Sequence, residues 1–537
     1  MREFDADVVI VGSGFGGSVA ALRAAQAGKR VIVLEQGRRL TPEDLDRGAE
    51  RTRSLLWEPA LGLTGYFRQT VLQDVVVVGG VGVGGGSIVY AAVLLEPTQE
   101  AFRAPGWRNS AVDWHTELAP HYRTAATMLG RQVNPNVGIQ DLWLRDSAAL
   151  LGVEDTFGPT PQGIDFDACI GCGQCITGCP HGAKNTLDRN YLAGAESLGA
   201  EVRPESRVEI LMPLDAEGRP GVSGDTPNGT AGNPDADGRH GWRIVIRNPL
   251  NRAGSRRGRR TVSSITAREV VLSAGVLGTT ELLLANRDRW RTLPGLSDAL
   301  GHHVRTNSEA FAATLHPPGT DVTEGATISS HYYPDQVTHV TNNRFPKSYS
   351  FMKWYLSPAV SEQDPRARRR ATLAAMARHP WSASSNLRTR DWHRRTTVLT
   401  VMQHADNELS LTYARRPWGW SLGSTQVAGG APVPKHLPQA DAAGIALADV
   451  SGGEPYGTLL DTVMGMGATA HILGGAVIAN DPAGGVIDSD QCVFGYQGLR
   501  VLDGSAVPSN IGVNPSLTIT AMAERAMSRW LGGAPQM

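Results

Sequence analysis

Four cysteines, Cys169, Cys172, Cys175 and Cys179, stand in the run ACIGCGQCITGCPHGAK, and Pro180 follows the last of them. Thiolates at C-x2-C-x2-C-x3-C-P spacing hold iron–sulfur clusters. The short intervals let a loop curl around one inorganic core. The chain has no second run of this kind. All four thiolates would therefore wrap a single 4Fe-4S centre, or three would bind and Cys492 would close it from afar. A 3Fe-4S centre would need only three. Two other readings stand beside the cluster. The run is empty and merely redox-sensitive, or it holds structural zinc, which more often pairs two C-x2-C knuckles across a longer spacer. Cys492 taken alone reads as a buried small hydrophobe.

A second chemistry is written near the start. In VVIVGSGFGG, Gly12, Gly14 and Gly17 form G-x-G-x-x-G between an apolar run and a helix-forming run. Gly12 permits a tight turn, Gly14 lets the backbone approach a pyrophosphate, and Gly17 lets helix and strand pack closely. The helix that follows offers unpaired N–H groups to the phosphates. Glu35 ends the next strand, where a carboxylate can accept both ribose hydroxyls. Its charge disfavours a 2′-phosphate. The pattern by itself fits NAD and FAD alike.

The elements that must position these groups are legible in outline. DVVIV (7–11) and RVIVL (30–34) read as buried parallel strands around a helix, a βαβ unit of the usual size. VVVV (75–78) leads into a second glycine-rich stretch, GGVGVGGGS. Residues 100–165 read as helical. AKNTLDRNYLAGAESLGAEV reads as a helix and then a strand beginning near Glu201. EVVLSAGVLGTTELLLA (269–285) reads as strand, glycine turn and helix. Between 300 and 460 the texture changes to alternating segments such as TVLTVMQHADNELSLTY, the mark of an antiparallel sheet. YSFMKWYLSPAV (349–360) is aromatic enough to line a pocket and equally reads as a core strand. Residues 215–241, rich in Gly, Pro and Asp, read as a hairpin tip, and RAGSRRGRR (252–260) as a solvated turn. The Arg-rich stretch 364–379 reads as a helix with a solvated face.

Composition narrows the partners. Lys and Arg number 51 against 52 Asp and Glu, for a formal charge of −1. That balance gives no footprint for nucleic acid. Five cysteines, four of them clustered, make no disulfide framework. No signal-like N-terminus and no run of about 18 apolar residues occurs. These features point to a chain without a transmembrane segment in a reducing, cytoplasmic setting.

Five stretches together carry a resemblance: VVIVGSGFGGSVAALRAAQAGKRVIVLEQG, GVGVGGGSIVYAA, CPHGAKNTLDRNYL, VVLSAGVLGTTELLL, and HILGG with LRVLDGSAVPSNIGVNPSLTITAMAER. The chain resembles the glucose–methanol–choline (GMC) flavoprotein oxidoreductases, and within them the cholesterol oxidase branch. The resemblance implies an α/β protein. A Rossmann-like FAD-binding domain (1–99, 166–298 and 462–537) would be interleaved with a substrate domain on an antiparallel sheet (100–165 and 299–461). The cofactor would be FAD, its adenosine half on Gly12, Gly14, Gly17, Glu35 and Val208. Gly82, Gly84, Gly85, Gly86 and Ser87 would pass the pyrophosphate and isoalloxazine. Gly275 would help close the pocket, and Asp503 and Gly504 would hold the ribityl–pyrophosphate side. Asn514 and Pro515 would begin the last helix, its positive end toward flavin N1 and O2. His471 and Asn514 would face the substrate, the first accepting a hydroxyl proton and the second steadying the oxygen.

The same resemblance implies oxidation of a secondary alcohol on a bulky apolar molecule, a 3β-hydroxysteroid first, or another polycyclic or long-chain alcohol. A flavoprotein that only transfers electrons, or only isomerises, is the different-class alternative. Two departures bear on substrate. Steroid oxidases of this branch carry a glutamate base for isomerisation before a proline. The matching THVTNNRFP places Asn343 there, and an amide cannot be a carboxylate base. Glu309, in RTNSEAF, is the candidate substitute, against a surface or structural role. Tyr90 stands where the secreted steroid oxidases carry Asn. Some membrane-associated dehydrogenases of the wider family carry a cluster near the cysteine run. A chain holding flavin and cluster could pass electrons to an acceptor protein or quinone. With the run empty or zinc-filled, dioxygen becomes the acceptor.

Overall fold

The computed structural model describes residues 3–220, 236–250, 262–378, 380–417, 419–427 and 430–532. ADVVIV is apolar at nearly every position and folds as the strand Ala6–Val11, buried along almost its whole length. Such runs suit a parallel sheet covered on both faces. Its neighbours are Val31–Leu34 on one side and Val262–Leu272 on the other, both parallel, with Glu201–Arg203 parallel beyond Val31–Leu34. The eleven-residue strand Val262–Leu272 serves two partners along its other edge. Its first half pairs antiparallel with Trp242–Arg247, and its last residues pair parallel with Leu499–Val501. Arg207–Pro213 completes this seven-stranded sheet, antiparallel to Trp242–Arg247. The hairpin tip expected around 215–241 joins those two strands. Its residues 221–235, like the basic block 252–260, lie outside the described residues.

Helices Phe15–Gln26 and Ser516–Leu531 pack on one another, so the two ends of the chain meet. A buried pair ties them: Arg23 donates to both carboxylate oxygens of Glu524, each at 2.8 Å, and the Tyr191 hydroxyl donates to the same carboxylate at 2.7 Å. The salt bridge is enclosed and fully hydrogen-bonded, the condition under which a buried pair is tolerated.

A second seven-stranded sheet is antiparallel throughout. Its order is Leu356–Pro358, Glu454–Thr458, Ala310–Leu315, Thr396–Gln403, Thr338–Asn343, Ser330–Tyr332 and Gly158–Pro159. Thr396–Gln403 is buried at all eight residues. Leu399 and Val401 pack under helices Ile139–Leu150 and Pro438–Ser451. Val398 and Thr400, with the opposite pleat, face a cavity. The strand reading of 349–360 needs correction. Lys347–Tyr355 is a 3-10 helix, and only Leu356–Pro358 is strand. Tyr349, Met352 and Tyr355 recur every third residue, the period of a 3-10 turn, and all three face the cavity. The Arg-rich stretch forms the helix Pro365–Arg378. Among the described residues no helix is long and apolar enough to cross a membrane.

Candidate active site

The first strand ends at Gly12, whose φ of +96° is closed to side-chain-bearing residues; a Cβ there would stand 2.2 Å from the Ser273 carbonyl oxygen. A Cβ on Gly17 would lie 2.1 Å from the Gly12 oxygen, so helix and turn are in backbone contact. Gly14 is different. A Cβ on it would meet nothing within 4 Å, because that side of the turn opens on a cavity. The second glycine stretch lies against the first, with a Cβ on Gly85 only 2.6 Å from the Gly14 Cα.

Glu35 is buried at the end of its strand. One carboxylate oxygen accepts the Ser13 amide (3.2 Å) and hydroxyl (2.7 Å), and the other accepts the Gly37 amide (2.8 Å). Burial pushes its pKa up against these bonds. The Ser13 hydroxyl also accepts the Gly84 amide at 3.1 Å, joining Glu35 to the second glycine stretch. Asp503 repeats the pattern at the far end. It accepts the amides of Gly275 and Ser505 (2.9 Å each) and the hydroxyls of Thr279 and Ser505 (2.5 Å each), and burial raises its pKa too.

The cavity between these groups measures about 820 Å³. Three helix starts line it: Gly14 and Phe15, Gly275, and Pro515 with Ser516. None is capped by its own N-cap side chain, and none has an acidic residue in its first turn, but the Gly275 amide already donates to Asp503. Two partial positive charges, at Gly14 and at Pro515, therefore face the space unanswered, and the starts at Gly14 and Gly275 have room beside them that a Cβ would fill. That cradle suits an anionic dinucleotide. Of the residues expected here, Gly12, Glu35, Val208, Gly85 and Gly86 also line the cavity, as do Asp503 and Gly504. Gly17, Gly82, Gly84 and Ser87 stand behind its wall. Ser87 acts as a staple, donating to the Gly84 carbonyl (2.7 Å) and accepting the Leu187 amide (3.0 Å).

His471 and Asn514 meet in the same wall, Asn514 Nδ2 lying 3.1 Å from His471 Nε2. Asn514 Oδ1 is buried without a partner. The segment carrying His471 is held by a two-way bridge between Arg305 and Leu473, each amide donating at 2.8 Å. Sequence reasoning gave Glu309 no firm place. It is buried beside His471, its Oε2 3.1 Å from Nδ1. Asn343 faces the cavity with its amide spent on the Val398 carbonyl (3.0 Å) and the Thr400 hydroxyl (2.9 Å). Phe311, Phe345, Tyr349, Phe351 and Met352 make this end apolar. Tyr90 also lines it, its hydroxyl donating to the Asn185 carbonyl at 2.6 Å, and burial pushes its pKa up.

All four clustered cysteines line a separate apolar cavity of about 20 Å³, with Ile164, Ile170 and Lys184. None is in a disulfide. Burial pushes the Cys172 thiol up to about 11 and raises Cys169 as well. Among the described residues no three His, Cys, Asp or Glu side chains converge on one ion position. Cys492 does not line this cavity; it pairs with Arg500 beside Asp488, which removes it as a closing ligand. The Lys184 ammonium donates to the carbonyls of Cys175 (2.7 Å), Ile88 (2.7 Å) and Tyr90 (3.1 Å). It joins the thiol loop to the wall of the large cavity. Cys175 faces the small cavity and Ile176, its neighbour, the large one.

Residues 7–41 match the family model described as an FAD binding domain, and residues 163–185 that of a 4Fe-4S binding domain. The fold superimposes on that of pyridoxine 4-oxidase from Mesorbium loti with a TM-score of 0.62, covering 98% of this chain and 99% of that one at 14% identity. Fold and cradle thus define an FAD-binding α/β oxidoreductase. Residues 449–523 match the GMC oxidoreductase model. A cholesterol oxidase of Mycobacterium tuberculosis is 39% identical across 98% of this chain and 91% of its own length. One of Acinetobacter baumannii is 35% identical across 98% and 95%. The chain belongs to the GMC oxidoreductase family, on its cholesterol oxidase-like branch, and is an FAD-dependent alcohol oxidoreductase.

Proposed function

We propose that the protein oxidises a secondary alcohol on a bulky apolar molecule, a 3β-hydroxysteroid being the substrate class that fits best. One observation carries the reading. His471 and Asn514, 43 residues apart, are hydrogen-bonded to each other where the glycine cradle meets the aromatic end of the cavity. Bound FAD supplies the hydride acceptor. His471 takes the hydroxyl proton as the carbonyl forms. Asn514 donates to the substrate oxygen without adding a charge, and the uncapped start of the last helix adds a positive field behind it. Phe311, Phe345, Tyr349 and Phe351 exclude water from the ring system. In this reading 1–99, 166–298 and 462–537 build the flavin half, and 100–165 and 299–461 the substrate half. The names of the two relatives support the steroid.

The cysteine run completes the proposal. Cys169, Cys172, Cys175 and Cys179 would hold an iron–sulfur cluster, a one-electron acceptor beside the two-electron flavin. The spacing, the shared apolar cavity and the matching family model support it. Mixing the flavin-loaded protein anaerobically with 3β-hydroxysteroids and with long-chain alcohols tests the reading. The steroid should bleach the flavin. A flavin that no alcohol bleaches removes the alcohol reading, and one bleached only by chain alcohols removes the steroid. His471→Ala should keep its flavin and slow the bleaching by about 10²–10⁴-fold.

A further inference from the structure

The Glu309 carboxylate faces three donors at once. Its Oε2 accepts the Ala470 amide at 2.7 Å, the Thr469 hydroxyl at 2.8 Å and His471 Nδ1 at 3.1 Å. The side chain is 1% exposed. As a carboxylate oxygen, Oε2 carries no hydrogen of its own and can only accept. The imidazole nitrogen that shares it must therefore carry a hydrogen. Across the ring, Asn514 presents its amide nitrogen to Nε2 at 3.1 Å, which suits a lone pair there. Every hydrogen bond in the chain from Asn514 through His471 to Glu309 then runs the same way.

We propose that Glu309 is a positioning residue that fixes His471 in the Nδ1–H tautomer, leaving Nε2 the lone pair that the reacting hydroxyl takes over from the Asn514 N–H on binding. The inference rests on the alcohol-oxidation reading and deepens it. As the substrate O–H bond breaks, its electron pair stays with the oxygen and the proton bonds to Nε2. The ring becomes a cation 3.1 Å from a carboxylate that is already in place. Glu309 acts through His471 and does not touch the substrate. Its Oε2 is committed to protein donors, which sets it apart from a base that abstracts a substrate proton.

The test is Glu309→Leu in the flavin-loaded protein, with histidine nitrogens labelled in both wild type and variant. A leucine side chain offers Nδ1 no acceptor, so the hydrogen passes to Nε2 and the base is lost. Single-turnover flavin reduction should fall by about 10²–10⁴-fold, as expected when an imidazole is held in the wrong tautomer. The substrate concentration at half-maximal rate should change little, and nitrogen chemical shifts should pass from the Nδ1–H to the Nε2–H pattern. A variant that reduces its flavin within about threefold of wild type overturns the proposal. So does a wild-type imidazole protonated on Nε2 alone, a result readable even if Glu309→Leu fails to fold. If no alcohol reduces the wild-type flavin, the functional reading falls while the nitrogen spectrum still decides the tautomer.

Discussion

In the flavin cradle the buried acids are already answered: Glu35 by Ser13 and Gly37, Asp503 by Gly275, Thr279 and Ser505. In the thiol pocket four cysteines surround about 20 Å³ of apolar space, and burial raises the pKa values of two of them, Cys169 and Cys172, so that they hold their protons at neutral pH. The first region is complete in shape before its ligand arrives; the glycine turns at one end of its 820 Å³ are held in backbone-to-backbone contact. On the proposed cluster reading, the second would become a site only as a ligand displaced the thiol protons and widened the pocket, which would couple binding to local folding. Protein dipoles can be fixed in advance for an organic anion. Thiolates cannot be, because four unshielded negative charges at one place are too costly to hold.

The largest effect that would break this comparison is at Gly12. Gly12→Val places a branched side chain on the Ser273 carbonyl and forbids the positive φ. It should cost about 4 kcal/mol or more, and the protein should emerge without flavin and mostly unfolded, as seen by flavin absorbance per chain and thermal melting. Folded, flavin-loaded protein would mean that the cradle is not preformed. Next comes Cys172→Ser. Iron per chain should drop steeply after anaerobic purification while flavin per chain stays at the wild-type value. Loss of both together would show one coupled site in place of two.

The smallest effect lies outside both regions, at Glu408. Its carboxylate, held by His303 and Arg305, has a pKa lowered to about 2. A depressed carboxylate stabilises the fold above its unfolded pKa of about 4.5, and the gain disappears as pH falls from there toward 2. The group is half-exposed, so Glu408→Gln should cost under about 1 kcal/mol at neutral pH and nothing near pH 2. The melting difference between variant and wild type across pH checks this. Because Arg305 anchors the Leu473 segment, a larger loss at neutral pH would tie that surface pair to the placement of His471.

The parts that were legible in sequence share a cause. Gly12 is demanded by its own positive φ and Gly17 by the Gly12 oxygen within the same turn, while Gly14 leaves the turn open toward the cavity, so their spacing carries their meaning. The long buried strands of both sheets show as apolar or alternating runs for the same local reason. Glu309 has no such signal. Its partner lies 162 residues away, and RTNSEAF has neither helical nor strand period. Ser13 sits inside the glycine fingerprint, yet the fingerprint leaves its identity open; only the fold shows its hydroxyl bridging Glu35 and Gly84. The aromatic run 349–355 misled because a short apolar segment fits several periods. Tertiary packing against the cavity selected the three-residue one. The remote Cys492 ligand was open on spacing alone; the fold places Cys492 beside Arg500, outside the cavity that the four clustered cysteines line.

Cys175 and Ile176 share one peptide bond and look into different chambers. An exchange at 176 that enlarges or trims the space for an organic guest must shift the α-carbon that carries a sulfur at 175, and Lys184 passes the strain on to Ile88 and Tyr90. On the proposed cluster reading, retuning guest preference at 176 should change inorganic loading at 175 with it.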